Sequence, residues 1–365
     1  MIPIVFGRNA PWFSSQGYGR LVECGKCTVT EERNGLYECE FTYPMDGKMF
    51  NFLVEDAIIY TTHGYRARPE PFYIYKRTAT LDGMVKFNAR HISYRLNNRT
   101  VRPFTATSCA EALENIALYT VGGNRFHYST DKTTTGNFAV TTPKQIRSVL
   151  GGSAGSILDV YGGGEYEWRQ FDIILHRSRG VASGVTIRYG KNLTEFEQEL
   201  DFGSVYNAYV PFWKDDAGNV VMLSGDGYIT ADDDTNRVLK TQPLDLSAYW
   251  ETAPTDNELY NKAEEVIAGK TPYKATENIK VDFVNLANTA EYKSMEQLQA
   301  LRLCDTVDVF YTKLGVTATN IKIVKTVYDS LNERYIEMNL GTIKRTFSEV
   351  VTDSVIKTLQ SKGIN

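Results

Sequence analysis

The sequence lacks an excess of basic residues. Its 40 lysines and arginines against 44 aspartates and glutamates give a formal net charge of −4 and a sequence pI of about 5.8. A protein that wraps nucleic acid is expected to be basic, so this balance argues against that class. Hydrophobic residues make up 42% and charged residues 23% of the chain, which excludes a disordered, collagen-like or coiled-coil protein. A length of 365 residues predicts two or three domains at about 100–200 residues each.

Long apolar runs are also missing. No stretch of the sequence approaches the roughly 18 apolar residues that a membrane-spanning helix requires. The first residues, Met1 to Gly7, have no basic region before a short apolar stretch, so they do not form a signal peptide. We therefore expect synthesis and folding in the cytoplasm. Cysteines number five, an odd count without the spacing of a disulfide framework, which predicts free thiols.

Histidines are scarce, and this limits the possible catalytic sites. The four histidines are isolated in the sequence. His127 and Asp131 form an HxxxD pattern, as in some zinc endopeptidases that cut cell walls, but no HxH pattern accompanies it, which leaves zinc with too few nitrogen ligands. Cys109, near a predicted helix start, and His127 are the candidates for a Cys–His hydrolase. A buried structural thiol explains Cys109 better.

Other chemical motifs are incomplete. Cys24 and Cys27 form a lone CxxC with Cys39 as the one further thiol nearby, short of the four ligands of a structural zinc site. Asp232 to Asp234 do not have the spacing of a calcium loop. Gly162 to Gly164 are not followed by the Lys-Ser/Thr of a phosphate-binding loop. The sequence therefore predicts no catalytic residues, no cofactor and no metal.

Strand signals dominate the chain. Aromatic residues reach 12%, which favours β structure. Cys27 to Thr30 and Leu36 to Tyr43 are predicted to form a hairpin around Asn34 and Gly35, in a primed turn with positive φ at both of these residues. Capping boxes, which mark helix starts, begin at four positions and predict a helix after each: Ser108, Thr142, Thr255 and Thr346.

The alternation of strand-rich and helical regions predicts a mainly β fold with α/β insertions (α+β). Two strand-rich regions suggest two small β-barrels, because closing a sheet removes its edges. The predicted domains are a first barrel (1–98), an α/β insertion domain (99–182), a second barrel (183–250 and 275–345), a helical insertion (251–274) and a C-terminal helix (346–365).

Several phrases of the sequence, taken in order, carry a family resemblance. The chain resembles the N-terminal hub region of the tail-associated (Tal, prophage endopeptidase tail) proteins of long-tailed phages that infect Gram-positive bacteria, over about residues 1–345. The phrases are 34–44, 72–75, 89–96, 155–159, 165–171, 179–180, 184–185, 189–193, 303–309 and 335–341. The positions that we assign to the family pattern as structural are Asn34, Gly35, Gly180, Gly190, Lys191, Asn192 and Asp305.

The resemblance implies a fold like the baseplate hub of contractile-tailed phages, with tube-type barrels. It implies a homotrimer in which six barrels form a ring of pseudo-sixfold symmetry that caps the tail tube. The ring would open for release of the tape measure protein and DNA, and DNA would pass through the lumen without specific binding. The implied partners are the hexameric distal tail protein, the tape measure protein and the host cell-wall surface. The implied location is the virion tail tip, after synthesis in the cytoplasm of the bacterial host.

Two departures from the family pattern affect what is carried over. Cys304 stands before Asp305 where relatives commonly have glycine, so this turn is expected to differ. Many relatives continue into a cell-wall hydrolase or a fibre, whereas no residue here matches a catalytic motif, and we expect no enzyme activity. Two alternative functions remain, a peptidoglycan endopeptidase and a host receptor-binding module that uses the aromatic residues between Tyr161 and Trp168.

Overall fold

The computed structural model describes residues 1–153, 155–188, 193–201, 205–215, 217–230, 238–250, 252–268, 276–283, 300–311 and 316–341. Gly190, Lys191 and Asn192, the acidic run Asp232 to Asp234 and the predicted C-terminal helix lie outside these residues. The chain forms two compact units. One contains residues 1–197 together with the described residues from 279 onward, and the other contains residues 198–278.

The N-terminal part of the first unit is a series of antiparallel strands. They are β1 (Ile4–Phe6), β2 (Gly19–Arg20), β3 (Lys26–Glu32), β4 (Tyr37–Pro44), β5 (Ile58–Thr61), β6 (Glu70–Ala79) and β7 (Met84–His91). Short 3-10 helices follow β4 and β7, at Phe50–Phe52 and Ile92–Asn98. Alternate residues of β4 are buried, as expected for strands with one face on a core.

An α/β region follows. Its strands are β8 (Thr100–Val101), β9 (Phe104–Ser108), β10 (His127–Thr130), β11 (Thr135–Val140), β12 (Lys144–Gln145), β13 (Glu165–Arg169) and β14 (Asp172–His176). Its helices are α1 (Cys109–Tyr119), α2 (Ile146–Leu150) and α3 (Ile157–Val160). The capping box at α1 is confirmed, since the backbone N–H of Glu111 donates to Oγ of Ser108 over 3.2 Å. The helix predicted from Thr142 begins instead at Ile146, because Lys144 and Gln145 pair with β8.

The later strands of the chain extend the same sheet. They are β15 (Ala182–Arg188), β16 (Leu193–Asp201), β21 (Thr276–Phe283), β22 (Thr306–Tyr311), β23 (Val316–Asp329) and β24 (Arg334–Gly341). The order is β16-β21-β24-β23-β3-β4-β7-β6-β5-β1-β2, and β22 pairs with both β23 and β15. The long strand β23 joins the N-terminal strands of the sheet to the later ones, because its first part pairs with β22 and its last part with β3.

The second unit has its own small sheet and helix. They comprise β17 (Ala208–Lys214), β18 (Val220–Met222), β19 (Ile229–Thr230), β20 (Thr241–Asp245) and α4 (Asp256–Ala268), with a 3-10 helix at Ser247–Tyr249. The capping box predicted at Thr255 is confirmed, since its hydroxyl accepts from the N–H of Glu258 and its own N–H donates to the Glu258 carboxylate. Leu259 and Ala263 of α4 are fully buried against this sheet.

The prediction of a mainly β chain is confirmed, because strand residues far outnumber helical ones among the described residues. The strand pairing found there does not close into a barrel. The sheet of the first unit instead carries two separate apolar clusters. One is built from β1–β7 and the α/β region, and the other from β15, β22, β23, β24 and residues 301–304. No helix in the described part of the chain is long and apolar enough to cross a membrane.

The hairpin between β3 and β4 is confirmed, but its primed turn is wrong. Only Asn34 has a positive φ, of 55°, and Gly35 does not. The N–H of Gly35 donates to the carbonyl of Glu32 over 3.1 Å, and the N–H of Glu32 donates to the carbonyl of Leu36 over 2.7 Å. Three residues therefore form the loop, where a primed turn has two.

Candidate functional site: a polar junction

Five charged or amide side chains meet where β3 lies beside β23 and the α/β region returns to the sheet. We call the set of Glu31, Asn34, Glu165, Arg179 and Lys322 the polar junction. These residues come from β3, the β3–β4 turn, β13, the segment before β15, and β23. Charged groups are rarely buried without partners, so their pairings decide what the junction does.

Glu31 and Arg179 form a buried ion pair across 148 positions of sequence. A guanidinium nitrogen of Arg179 donates to Oε1 of Glu31 over 2.9 Å, and the side chains are only 14% and 4% exposed. Burial alone would lower the pKa of Arg179, but the Glu31 carboxylate outweighs this and raises that pKa. Arg179 therefore stays ionised, and loss of either partner would leave the other polar group buried without its counterpart.

Glu165 and Lys322 form the second pair of the junction. Nζ of Lys322 lies 2.9 Å and 2.8 Å from the two carboxylate oxygens of Glu165. The same ammonium group donates to the backbone carbonyl of Arg179 over 3.2 Å, and the N–H of Arg179 donates to Glu165 over 2.6 Å. Both ion pairs therefore contact Arg179, the first through its guanidinium group and the second through its backbone. Together they fix the segment that leads into β15.

Asn34 connects the β3–β4 turn to β13. Its Oδ1 accepts from the N–H of Tyr166 over 2.8 Å, and its Nδ2 donates to the carbonyl of Gly164 over 2.8 Å. Asparagine tolerates the left-handed backbone better than most residues, so the positive φ and the two hydrogen bonds favour the same residue. Of the predicted structural positions, Asn34 therefore has a direct role in the junction, whereas Gly35 contributes a backbone hydrogen bond within the turn.

Gly180 and Asp305, two further predicted positions, lie together at the start of the β15–β22 pairing. The N–H of Val181 donates to Oδ1 of Asp305 over 2.9 Å, and that of Arg302 donates to Oδ2 over 2.9 Å. Gly180 has a φ of +85°, and a Cβ there would lie 2.1 Å from the carbonyl oxygen of Cys304. Glycine is therefore required at 180 by both backbone conformation and space.

Cys304 occupies a left-handed backbone position, with a φ of 72°. This is the conformation that glycine adopts without a steric cost. The turn thus has a conformation suited to glycine although the residue is cysteine. The thiol is 1% exposed and belongs to the second apolar cluster, so its burial offsets part of the backbone strain.

A second buried group lies beside the junction and contains Tyr37, His63, Glu70 and His91. Nε2 of His91 lies 3.3 Å from Oε2 of Glu70, and the ring of Tyr37 stacks on that of His91 at 4.5 Å. Burial raises the pKa of Glu70 well above its ordinary value and lowers the pKa of His91 well below its own. Burial thus disfavours the charged form of both partners in this contact.

Two polar atoms of this buried group have no hydrogen-bond partner among the described residues, the hydroxyl of Tyr37 and Nδ1 of His63. Burial also lowers the pKa of His63, whose Nε2 lies 4.0 Å from the Glu31 carboxylate. His91 is fully buried, whereas the side chain of His63 is 21% exposed. Tyr37, Glu70 and His91 connect β4, β6 and β7, and His63 lies just after β5. The group can therefore hold these strands together.

The sequence candidates for hydrolysis are not brought together. Cys109 is fully buried and His127 is exposed, and none of the described contacts joins them. Asp131 lies near His176 at 3.7 Å and accepts from the N–H of Arg177, so the HxxxD pattern does not converge. Among the described residues, no group of three or more potential ligands is arranged to hold a metal.

The cysteines are free, as predicted. Sγ of Cys27 lies 3.7 Å from that of Cys39 in the first apolar cluster, and the Cys24 thiol donates to the carbonyl of Lys26. The hydrogen bond to Cys27 and burial raise the pKa of Cys24. A thiol that is protonated at neutral pH is a poor nucleophile and a poor metal ligand.

One open surface pocket of about 660 Å³ lies beside β1, and its lining bears on catalysis. The polar side chains include Arg8, Asn9 and Asn51, and the apolar ones include Tyr18 and Phe52, which stack at 4.8 Å. This lining has no carboxylate, imidazole or thiol, which are the usual acids, bases and nucleophiles. It can bind a partner group, and the Tyr18 hydroxyl is the only side-chain group of this lining that could transfer a proton.

The profile of the family described as prophage endopeptidase tail matches residues 181–351. The resemblance to this family predicted from the sequence is confirmed. No curated protein sequence gives a significant match.

Solved structures of phage tail proteins share the fold. Prophage tail protein gp18 from Listeria monocytogenes EGD-e is 15% identical, has a TM-score of 0.58, and the match covers 99% of this chain and 100% of that one. The 43 kDa tail protein of prophage MuSo2 from Shewanella oneidensis is 10% identical, with a TM-score of 0.57 and coverage of 94% and 98%. A tail protein from Neisseria meningitidis MC58 is 10% identical, with a TM-score of 0.56 and coverage of 94% and 97%.

Sequence reasoning missed the ion pairs and the Glu70–His91 contact. One local signal was available for Glu31, because residues 27, 29 and 31 share one face of β3 and all are buried. An acidic residue on the apolar face of a strand predicts a buried partner. The identity of that partner, Arg179, depends on contacts between distant parts of the chain and has no local signal.

Proposed function

We propose that this chain is a structural component of a phage tail tip and acts as the hub of the tail without enzymatic activity. The observation that carries the proposal is the match over nearly the full length of this chain and of phage tail proteins, together with the family match over 181–351. Similarity at this low sequence identity supports a shared fold. The assembly of the chain into a hub goes beyond the fold and is therefore what we propose.

In the proposed assembly, three copies form a ring at the end of the tail tube of the virion. The two apolar clusters of the main sheet support two tube-type domains per copy, within 1–98 and within 183–250 and 275–345, so that three copies offer six. The region 99–182 is then one insertion, and the compact unit 198–278, which contains the helix of 251–274, is the other. Closed cyclic symmetry is the usual way for such a ring to form.

In this proposal, the polar junction holds the two tube-type domains of one copy together. A hub must hold its two tube-type domains in a fixed relation while a tube is docked on it. Arg179 and Lys322 connect β3 of the first cluster to β23, which continues into the second. Buried pairs with several hydrogen bonds fix geometry, which is their best-supported role.

The proposed ring docks on the hexameric distal tail protein and opens for the tape measure protein and DNA. The net charge of −4 suits a lumen that does not hold a polyanion, since phosphate binding depends on basic residues. Native mass spectrometry of this chain mixed with the purified distal tail protein of the same phage tests the docking. We expect three copies of this chain for each hexamer, and one or six copies would contradict the proposal.

A further inference from the structure

Strand β6 extends beyond its neighbour β5, so among the described residues one side of its last part has no partner strand. β5 accompanies β6 only from Glu70 to Tyr73, and two backbone bonds then join Ile74 to Ala57 and Asp56. At Asp56 the backbone has a φ of 62° and the chain turns away. β7 continues beside β6 as far as Ala79. Within the described residues, residues 75–79 therefore have a partner strand on one side only, and we call them the β6 edge.

The direction of the backbone groups along the β6 edge follows from two hydrogen bonds. The N–H of Thr80 donates to the carbonyl of Met84 over 3.2 Å, and the N–H of Met45 donates to the carbonyl of Gly83 over 2.9 Å. Backbone groups alternate in direction along an antiparallel strand. Residues 76, 78 and 80 therefore bond to β7, and the N–H and C=O groups of Arg77 and Ala79 point away from it, towards the open side.

The β6 edge is exposed and carries two cations without partners. All five residues are exposed, although Phe87 and Val85, opposite Arg77 and Ala79, are buried. Lys76 and Arg77 form no ion pair with any described residue. The cations of the neighbouring strand β7 already have carboxylate partners on β4.

Lys86 lies 2.6 Å from the carboxylate of Glu40, and Arg90 lies 2.8 Å from that of Glu38. The acidic side chains of β4 are thus occupied by β7. Among the described residues, no carboxylate balances the positive charge of the β6 edge.

The nature of a partner follows from this charge and from the adjoining turn. Two copies of the β6 edge cannot pair symmetrically without bringing Lys76 and Arg77 of each close together, and like charges on paired strands are destabilising. A segment with neighbouring acidic residues would neutralise both cations. Leu81 in the adjoining turn is fully exposed, while Asp82 orders that turn by accepting from the N–H of Met84, so an apolar side chain of the partner has a contact at the end of the edge.

We propose that the β6 edge is the docking site for an extended acidic segment of another protein. The segment adds to β6 as a further strand, with backbone hydrogen bonds to Arg77 and Ala79 and carboxylates on Lys76 and Arg77. Backbone bonds provide the affinity and side chains the selectivity in this mode of recognition. The proposal does not depend on the tail-tip function.

Peptide binding to the purified full chain tests the proposal. The probe is a capped, fluorescently labelled peptide of valine and threonine with two central glutamates, and the comparison probe has two central lysines. At low salt we expect the glutamate peptide to bind at least about tenfold more tightly, as for other complementary charge pairs. The double variant Lys76→Glu with Arg77→Glu should reverse this preference. The matched control, Arg102→Glu with Lys144→Glu, changes the same charge at exposed positions outside the edge and should leave the preference intact.

Amide hydrogen exchange is a second test, because it reports backbone hydrogen bonds, which an attraction between charges alone would not form. Bound glutamate peptide should slow exchange at Arg77 and Ala79 and leave Lys76 and Thr78 unchanged, since the latter already bond to β7. A glutamate peptide methylated at alternate backbone nitrogens should lose binding. Equal affinity of the two probes, an unchanged preference in the Lys76/Arg77 variant, or protection at Lys76 and Thr78 instead would overturn the proposal. Self-association of the chain through this edge, without binding of the glutamate peptide, would also overturn it and assign the edge to a second copy.

Discussion

Asn34 and Tyr166 are joined by a hydrogen bond of 2.8 Å, in which the backbone N–H of Tyr166 donates to Oδ1 of Asn34. Because Nδ2 of the same amide donates to Gly164, one side chain bonds to β13 much as the backbone of a neighbouring strand would. The β3–β4 turn is therefore anchored to the α/β region by Asn34, in addition to its role within the hairpin.

The first prediction concerns Asn34. Asn34→Ala removes both hydrogen bonds and places alanine at a positive φ, so we expect a loss of about 2–4 kcal/mol in the free energy of unfolding, measured with urea. Asn34→Gly keeps the backbone conformation and should lose less. Gly35→Ala, at the neighbouring position without a positive φ, is the control. A larger loss for Gly35→Ala than for Asn34→Ala would show that the turn, and not the amide, matters.

The second prediction concerns the buried ion pair. Arg179→Met leaves the carboxylate of Glu31 buried without its cation, and Glu31→Gln leaves Arg179 without its anion. Each should lower the free energy of unfolding by about 3–5 kcal/mol, and the double variant should lose clearly less than the sum. Additive losses would mean that the two side chains do not interact.

The third prediction separates backbone strain from steric overlap. Gly180→Ala places a Cβ 2.1 Å from the carbonyl oxygen of Cys304 at a φ of +85°. Gly184→Ala is a matched control, since its φ is +65° but no atom lies within 4 Å of its Cβ position. We expect a loss of about 1–2 kcal/mol for Gly184→Ala from strain alone, and a loss of more than about 4 kcal/mol or failure to fold for Gly180→Ala. Equal thermal stability of the two variants would contradict the close packing of Gly180 on the Cys304–Asp305 peptide.

The fourth prediction is a pH dependence set by Glu70. Burial raises its pKa well above the ordinary 4.5, so the folded chain keeps a proton there that the unfolded chain has released. Stability from this group is complete below pH 4.5 and is lost as pH rises towards the folded pKa. Glu70→Gln cannot ionise, so its stability relative to the natural chain should increase with pH, by up to about 1.4 kcal/mol per pH unit.

Glu40→Gln provides a control of opposite sign for Glu70. Burial alone would raise the pKa of Glu40, but hydrogen bonds from Lys86 and Lys26 outweigh it and lower the pKa. The stability that Glu40 contributes is therefore present above pH 4.5 and is lost as pH falls through the folded pKa. Parallel pH profiles for Glu70→Gln and the natural chain above pH 5 would show that Glu70 is ionised in the fold.

The fifth prediction is the absence of hydrolase activity in this chain. None of the described contacts joins Cys109 to His127, and the lining of the surface pocket has no carboxylate, imidazole or thiol. Incubation with Gram-positive cell walls should release no new amino groups or reducing sugars. Release that is abolished by Cys109→Ala or His127→Ala would establish the endopeptidase alternative.

Local features of the fold were predictable because their signals are local. Ser108 and Glu111 predict the start of α1, and Thr255 and Glu258 predict the start of α4, since a capping box satisfies helix-end N–H groups within four residues. The prediction of a primed turn at Asn34 and Gly35 was wrong because the loop has a third residue. In this longer loop Gly35 does not adopt a positive φ. The helix predicted from Thr142 begins later because pairing with β8 competes for Lys144 and Gln145.

Contacts between distant parts of the chain were not predictable in the same way. The pairing of β23 with β3 joins residues about 300 positions apart, and nothing in either strand specifies the other. Gly180 and Asp305 were named from the family resemblance, and the structure brings them into contact. Whether they, with Asn34 and Gly35, are a signature of the family stays a prediction, as does the division into domains.

The central claim is that three copies of this chain form the ring that caps a phage tail tube. Cryo-electron microscopy of the intact tail tip tests it most directly. The account predicts three copies around the tube axis, each contributing two tube-type domains, with density for this chain against the hexameric tail component. A single copy off the axis, or six copies on peripheral host-binding appendages, would contradict it.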